Sequence, residues 1–500
     1  MQNNPIKNIV IVGGGTAGWM TAAALSRYLP PKDYTIKLIE SDQIGTIGVG
    51  EATIPGIRDF NNKLGIDENE FMRATKATYK LGIEFIDWTK KGHAYVHPFS
   101  YFGHDLNGVP FHNYWLKQKQ LGDTTNISEY SIGYTAAKLN KFSHPTSDQK
   151  SVLSKFFYAF HLDATLYANY LRKFSSKAGV ERIEGKVINV STRKSDGFIE
   201  KLTLESGQTI QGDLFIDCSG FRGLLIEQTL KTGYQDWSHW LPCDRAIAVQ
   251  TVSTEDAIPY TKATAREAGW QWKIPLQSRV GNGYVYSSQY ISDEQAKQTL
   301  LSNIEGEMIT EPKFIPFKAG KRNKLWNRNC VAIGLSSGFL EPLESTSIHL
   351  IQTSIMKLIT HFPDQAFNPV DIQDYNNQMN RQFEQVKDFL ILHYKTTQRD
   401  DSPFWKYCKS MAIPKELEHR INLFIETGHI VNCEKEVFVY SNWAAVLLGQ
   451  ELFPKVYHPR VDCINPEQLK ILLAQMKLTI AKSVSTMPSH LETINRFCKA

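Results

Sequence analysis

A short apolar run, Asn8-Ile9-Val10-Ile11-Val12, passes directly into Gly13-Gly14-Gly15-Thr16-Ala17-Gly18, and the residues after it carry apolar positions at Met20, Ala24, Leu25 and Leu29. Strand, glycine turn and helix in that order are the opening of a doubly wound α/β fold. The spacing Gly13-x-Gly15-x-x-Gly18 permits a tight turn, close backbone approach to a pyrophosphate and close helix packing, while the helix start at Thr16 and Ala17 offers unpaired N–H groups to anionic oxygens. A second apolar stretch, residues 35–39, ends at Glu40, about where such a unit places an acid to accept hydrogen bonds from a ribose diol. The expected ligand is a dinucleotide.

Two later junctions favour FAD over a nicotinamide cofactor. Leu214-Phe215-Ile216-Asp217-Cys218-Ser219-Gly220 and Cys330-Val331-Ala332-Ile333-Gly334-Leu335 each run from an apolar strand into a small-residue turn, and a nicotinamide domain has no need of such distant return strands. They bring Asp217 and Leu335 into the cofactor-binding set. The glycine-rich loop of residues 47–55 adds Glu51 and Ala52, and Val187 joins at the start of short alternating strands over residues 186–204.

Helical sequence is expected up to about residue 78, again over 164–174, and from near residue 345 to about 361; residues 244–318 are strand-rich. From 361 to 500 the pattern is mostly helical, punctuated by Pro403, Pro414, Pro454 and Pro459. The predicted fold is α/β: an FAD-binding Rossmann-like domain of the monooxygenase type over residues 1–360. Inserted substrate-facing segments fall at about 57–160 and 240–320, and a helical substrate-binding region over 361–500 packs on the domain. The aromatic and histidine density of residues 95–115 suits the wall of a flat pocket as well as plain core.

Composition narrows the function. The 500 residues hold 42% hydrophobic and 21% charged side chains, with 56 basic against 51 acidic residues, so nucleic acid is not an expected partner. Seven cysteines, odd in number and without CxxC spacing, predict a reduced cytoplasmic protein with no metal site. No apolar run is long enough for a membrane span, and the apolar stretch at residues 9–12 is too short for a signal-peptide core.

Further blocks carry a family resemblance: Tyr79-Lys80-Leu81-Gly82-Ile83, Trp270-Gln271-Trp272-Lys273-Ile274-Pro275, Gly283-Tyr284-Val285-Tyr286-Ser287-Ser288, Phe339-Leu340-Glu341-Pro342-Leu343-Glu344-Ser345-Thr346, and Asp388-Phe389-Leu390-Ile391-Leu392-His393-Tyr394-Lys395. In these, together with the first glycine turn, the chain resembles the flavin-dependent tryptophan halogenases of the two-component type. The paired tryptophans followed by Ile-Pro are that family's marker.

The resemblance implies a two-site enzyme. FADH2 from a separate flavin reductase reacts with oxygen to a C4a-hydroperoxide, a halide ion attacks it, and hypohalous acid travels to a lysine beside a small aromatic substrate. Lys80 matches that lysine and Glu344 the carboxylate that assists it. Read without the resemblance, Lys80 is an ordinary solvated charge, Glu344 is an acid in a first helical turn, and Glu341 competes with it. Two mechanisms follow for Lys80: a haloamine formed by the neutral amine, or hypohalous acid hydrogen-bonded to the ammonium. Thr346 and Ser347 match the halide-binding residues, but the family reads Ser-Thr-Gly where this chain reads Ser345-Thr346-Ser347. Serine lacks the freedom of glycine at positive φ, so bromide stands beside chloride as the expected co-substrate.

His97, Phe99 and Trp443 match the aromatic substrate-binding elements. No Tyr-Tyr followed by Glu is present to hold free tryptophan, which makes an indole-type or other electron-rich arene the expected substrate. The competing readings are a flavin-dependent aromatic hydroxylase and a flavin-binding protein without halogenation activity.

Overall fold

The structure is a computed structural model that describes residues 4–43, 50–431 and 436–500. Part of the predicted glycine-rich loop, Ile47 to Val49, and Cys433 lie outside the described residues.

Five strands of the cofactor sheet run parallel in the order Cys330–Ala332, Leu214–Asp217, Asn8–Val12, Thr35–Glu40 and Glu181–Glu184, with Trp326–Asn327 added antiparallel at one edge. All four residues from Ile9 to Val12 are buried, as the unbroken apolar run requires of a strand covered on both faces. Val12 pairs with Asp217 and Asp217 with Ala332, so the glycine turn and both return-strand junctions end at one edge of the sheet. In an open parallel sheet, ligands bind in the crevice outside these carboxyl ends.

A seven-stranded sheet stands beside it, in the order Lys313–Pro316, Arg245–Val252, Arg279–Tyr286, Gly269–Pro275, Thr261–Arg266, Gly82–Ile86 and Ala94–Pro98. The tryptophan motif is an interior strand of this sheet. The Trp272 ring lies against Gly283, where any Cβ would strike it.

A small third sheet, Gly50–Ala52, Ala159–Asp163 and Thr78–Lys80, joins the two. It corrects one expectation, since the helical pattern does not continue to Thr78. Two helices, Gly56–Leu64 and Glu68–Thr75, are separated by Gly65 in a left-handed conformation (φ 78°) and by Asp67, whose side chain accepts from Glu70 N at 2.8 Å. Thr78 then begins a strand, because its hydroxyl bonds both His161 Nδ1 (3.0 Å) and the Pro275 carbonyl (2.8 Å). Tertiary pairing overrides local pattern here.

After Phe339 every described element is helical, including Ser347–Thr360, the long helix Pro369–Lys395, Tyr440–Gly449 and His490–Phe497. One hydrophobic core runs from Ile6 to Cys498, and the last helix reaches back so that His490 Nε2 accepts from Tyr79 N at 3.1 Å. Among the described residues no helix is long and apolar enough to cross a membrane, and no group of three His, Cys, Asp or Glu side chains is placed to hold a metal.

Candidate active site

At the carboxyl edge of the cofactor sheet opens a cavity of about 540 Å³. Gly13, Gly15, Thr16, Ala17, Glu40, Glu51, Ala52, Val187 and Leu335 line it, as do the tryptophans Trp270 and Trp272. Its glycines form a cradle built for close approach. Gly13 holds φ 115° with Cys218 O against its missing Cβ, a Cβ on Gly14 would strike the Glu40 carboxylate, and Gly15 has open space where a Cβ would stand. Helix Thr16–Tyr28 points its N-terminal N–H groups into this space. These features fit a dinucleotide such as FAD.

Two of the expected cofactor residues do other work. Asp217 does not line the cavity, because its buried carboxylate accepts from Ser219 N (2.9 Å), Leu225 N (2.8 Å) and Ile226 N (2.8 Å) and so holds the following turn. Gly18 is also outside the lining, and a Cβ there would strike Gly13 O, so it serves the packing of helix on turn. Glu40 faces the cavity already engaged, receiving Trp19 Nε1 at 3.2 Å and ion-paired to Arg182 and Arg172.

Lys80 sits on the far side of the cavity wall. Its Nζ is fully buried and donates to the Thr53 carbonyl (3.0 Å) and to Ser345 Oγ (2.8 Å), with the Phe99 ring centroid 5.0 Å away. Burial pulls its ammonium down to about 7, against the opposing pull of Glu344. Ser345 lines the cavity while holding Lys80, so a single residue links the cavity to the buried lysine. That residue is the one of the Ser345-Thr346-Ser347 turn with positive φ, at 59°.

Ser347 is the first residue of helix Ser347–Thr360, with Thr346 before it at φ −92°. The anticipated strain of serine in place of glycine is therefore absent, since Ser347 needs no left-handed conformation. Ser347 faces the cavity with the unpaired N–H groups of a helix start.

Glu344 is buried (1% exposed) between two histidines. His97 Nδ1 lies 3.0 and 2.9 Å from its two oxygens, and His393 Nε2 lies 2.8 Å from Oε1, a contact by distance whose angle departs from an ideal hydrogen bond. Burial alone would raise this carboxyl, but His97 and His393 outweigh it and hold it down to about 2. Glu341, its sequence competitor, faces elsewhere: it accepts from Trp270 Nε1 (3.2 Å) and Tyr394 OH (3.0 Å), and burial raises it to about 7.

Of the predicted aromatic set, His97 and Trp443 both pack against Phe389, while Phe99 lies beside Lys80. His97 Nε2 accepts from Asn442 Nδ2 at 2.8 Å, and Trp443 packs edge-on against Phe389, which stacks on Phe438 at 3.8 Å between centroids. Phe389, His393, Phe438 and Asn442 were not singled out from sequence. The first two lie within the block that carries the resemblance, and only the spacing of one helical turn between them hinted at a shared face.

A family model described as tryptophan halogenase matches residues 8–466. A tryptophan 6-halogenase from Streptomyces toxytricini is 39% identical over 521 residues, covering 98% of each chain, and a tryptophan 7-halogenase from Lentzea aerocolonigenes is 35% identical over 495 residues, covering 92% of each. Among solved structures, a flavin-dependent halogenase from Xanthomonas campestris matches with a TM-score of 0.96 at 45% identity, covering 99% of each chain.

Proposed function

The chain belongs to the tryptophan halogenase family, whose members are enzymes, and from that premise we propose that it halogenates an indole-type or similarly electron-rich arene through Lys80 and Glu344. Flavin-dependent halogenation of an aromatic substrate is the activity this membership carries. Gly13, Gly15, Thr16, Ala17, Glu40, Glu51, Ala52, Val187 and Leu335 line the cavity and would hold FAD there. A separate flavin reductase supplies it reduced. The chemistry it contributes when bound is the two-electron oxidation of a halide ion by dioxygen, giving hypohalous acid. Thr346 and Ser347 are the candidate halide residues, for bromide or chloride; Ser347 lines the cavity, whereas Thr346 is buried outside its lining. Residues 1–360 serve as the cofactor domain and 361–500 as the substrate-side helical region.

The observation that carries the reading is the position of Ser345, which faces the cofactor cavity and holds Lys80 Nζ. An oxidant small enough to pass this residue reaches a buried lysine, whereas an arene next to Lys80 stays apart from the flavin. Direct oxygen transfer, which a hydroxylase needs, has no such requirement for separation. The two acceptors around Nζ match the two N–H bonds of a neutral amine and leave its lone pair available. The amine attacks halogen, the O–X bond breaks, and the amine proton and hydroxide leave as water, giving Lys80 N–X. Glu344 then takes the proton released when the arene accepts the halogen. His97, Phe99 and Trp443 provide the aromatic walls.

The test is an incubation with a flavin reductase, FAD, equimolar bromide and chloride, and a panel of indoles and phenols, read by product mass. Halogenated products that require the salt support the proposal. Products that gain oxygen without halide assign the hydroxylase, and flavin oxidation without product from any arene assigns the inactive flavoprotein.

A further inference from the structure

Among the described residues, two carboxyl side chains line the cofactor cavity, Glu40 and Glu51. Glu40 is engaged, ion-paired to Arg182 and Arg172 and accepting from Trp19 Nε1. The Glu51 carboxyl has no hydrogen-bond or ion-pair partner. It is the middle residue of strand Gly50–Ala52, half-buried between two buried neighbours, and pairing with Ala159–Asp163 fixes its place.

The titratable groups on the elements packed against this strand are committed elsewhere. On Ala159–Asp163, His161 lies between the hydroxyls of Thr78 (3.0 Å) and Thr261 (2.9 Å), and Asp163 pairs with Arg279 of strand Arg279–Tyr286. On that same strand the Tyr284 hydroxyl accepts from Ala268 N and the Tyr286 hydroxyl donates to Asp293. Lys273 on the tryptophan strand pairs with Glu305. The six residues ahead of the strand, Ile44-Gly45-Thr46-Ile47-Gly48-Val49, include no ionisable side chain. With no cation to offset lost hydration, burial raises the Glu51 carboxyl to about 7.

Two residues further along, the Thr53 carbonyl accepts from Lys80 Nζ, which Ser345 Oγ also holds. Two residues of extended chain span about 7 Å, so Glu51 stands at the Lys80 end of the cavity, which Ser345 and Ser347 also line. We propose that Glu51 is the general acid of the cofactor cavity, giving up the proton that halide oxidation consumes. The reaction half of the proposal rests on the halogenation reading, and its protonation half on the partnerless carboxyl. In the balance, dioxygen takes two electrons and two protons from reduced FAD and two electrons from the halide ion. Its O–O bond breaks, one oxygen bonds the halogen, and the other leaves as water. Hypohalous acid and water together hold three hydrogens; the third comes from Glu51, which regains it from solvent between turnovers.

The other acids nearby are unsuited to this step. Glu344 is held ionised by His97 and His393, and Glu341 lies outside the cavity lining, where Trp270 Nε1 and Tyr394 OH occupy one of its oxygens. Lys80 is needed as the free amine. An acid whose midpoint lies near the working pH has both a proton to give and the tendency to give it.

The experiment has two arms. The first is carbon NMR of the full chain labelled with carbon-13 at the glutamate carboxyls, the Glu51 signal being identified by its loss in both Glu51→Gln and Glu51→Ala. The expected result is a midpoint near 7 without FAD, and no lower with FAD, whose pyrophosphate is anionic. A Glu51 signal that titrates in the ordinary glutamate range overturns the proposal whether or not the chain halogenates anything. The second arm counts oxidised halogen per flavin oxidised, at saturating FAD and with a small scavenger, in a Lys80→Met background that removes the other group titrating near 7. With Glu51 present the ratio is expected to be flat at acidic pH and to fall above 7, where the carboxyl has lost its proton. Adding Glu51→Gln lowers the ratio by about a hundredfold or more at pH 6 and abolishes that inflection, with hydrogen peroxide formed in place of oxidised halogen. A Glu51→Gln chain that binds FAD more weakly yet keeps the same ratio and the same inflection reduces Glu51 to a cofactor contact and overturns the proposal. A chain with Glu51 that titrates as expected but oxidises no halide removes the reaction half together with the halogenation reading.

Discussion

Replacing Lys80 with methionine separates what the buried lysine costs the fold from what it does in the reaction. The side chain is fully buried and its ammonium falls from 10.5 to about 7, chiefly by burial. A depressed lysine is a penalty on the folded state, because the unfolded chain binds a proton that the native chain resists. That penalty grows as pH falls from 10.5 toward 7 and is constant below. At pH 7 it amounts to about 4 kcal/mol. Methionine removes it but leaves the Thr53 carbonyl and Ser345 Oγ without their donor, at about 1 kcal/mol each. The variant is therefore expected to be about 2 kcal/mol more stable than wild type at pH 7, with the advantage shrinking and then reversing toward pH 10. Urea unfolding of both proteins without FAD, followed by tryptophan fluorescence over this pH range, measures the difference. The same variant should bind FAD normally and give no halogenated product. A stability difference that does not change with pH would refute the argument that Lys80 is held near neutrality by burial.

Other substitutions test the remaining parts. Glu344→Gln is expected to lower the halogenation rate by about 10²- to 10⁴-fold at unchanged rates of flavin oxidation, as measured by product formed per flavin consumed. Ser345→Ala removes an acceptor from a buried Lys80 N–H, a loss of about 1–3 kcal/mol, and should lower the yield of product per flavin by about tenfold or more. Gly15→Val places a side chain in open space within the cradle, so FAD titration should show lost binding while circular dichroism stays unchanged.

Much of the cofactor half was legible in the sequence because parallel strands, glycine turns and a helix start follow from local pattern. Residues 8–18 and 35–40 fold as their spacing dictates, and the two return strands pair where a single sheet needs them. Asp217 misled because an acid at a strand end resembles a ligand contact, while its carboxylate is consumed by three N–H groups of the next turn. The halogenation half was legible only through the family resemblance. Lys80 lies on a three-residue strand whose existence depends on pairing with Ala159–Asp163, far along the chain. Nothing local marks it as buried. His393 sits in a helix with an ordinary apolar face, and its meaning appears only when Glu344, 49 residues earlier, is brought against it. The serine in place of glycine at 347 looked costly because sequence gives no φ, and the structure places the left-handed residue at Ser345 instead.

The central claim is that Lys80 carries the halogen from the cofactor cavity to the arene. The most direct measurement supplies wild type with reduced FAD, oxygen and bromide in the absence of arene, removes small molecules, and analyses both the protein and the product formed when an indole is then added. The account predicts bromine on the peptide containing Lys80, discharged onto the added indole, and neither signal in Lys80→Met. Equal halogenation by Lys80→Met, or oxidising halogen found only free in solution, would contradict it.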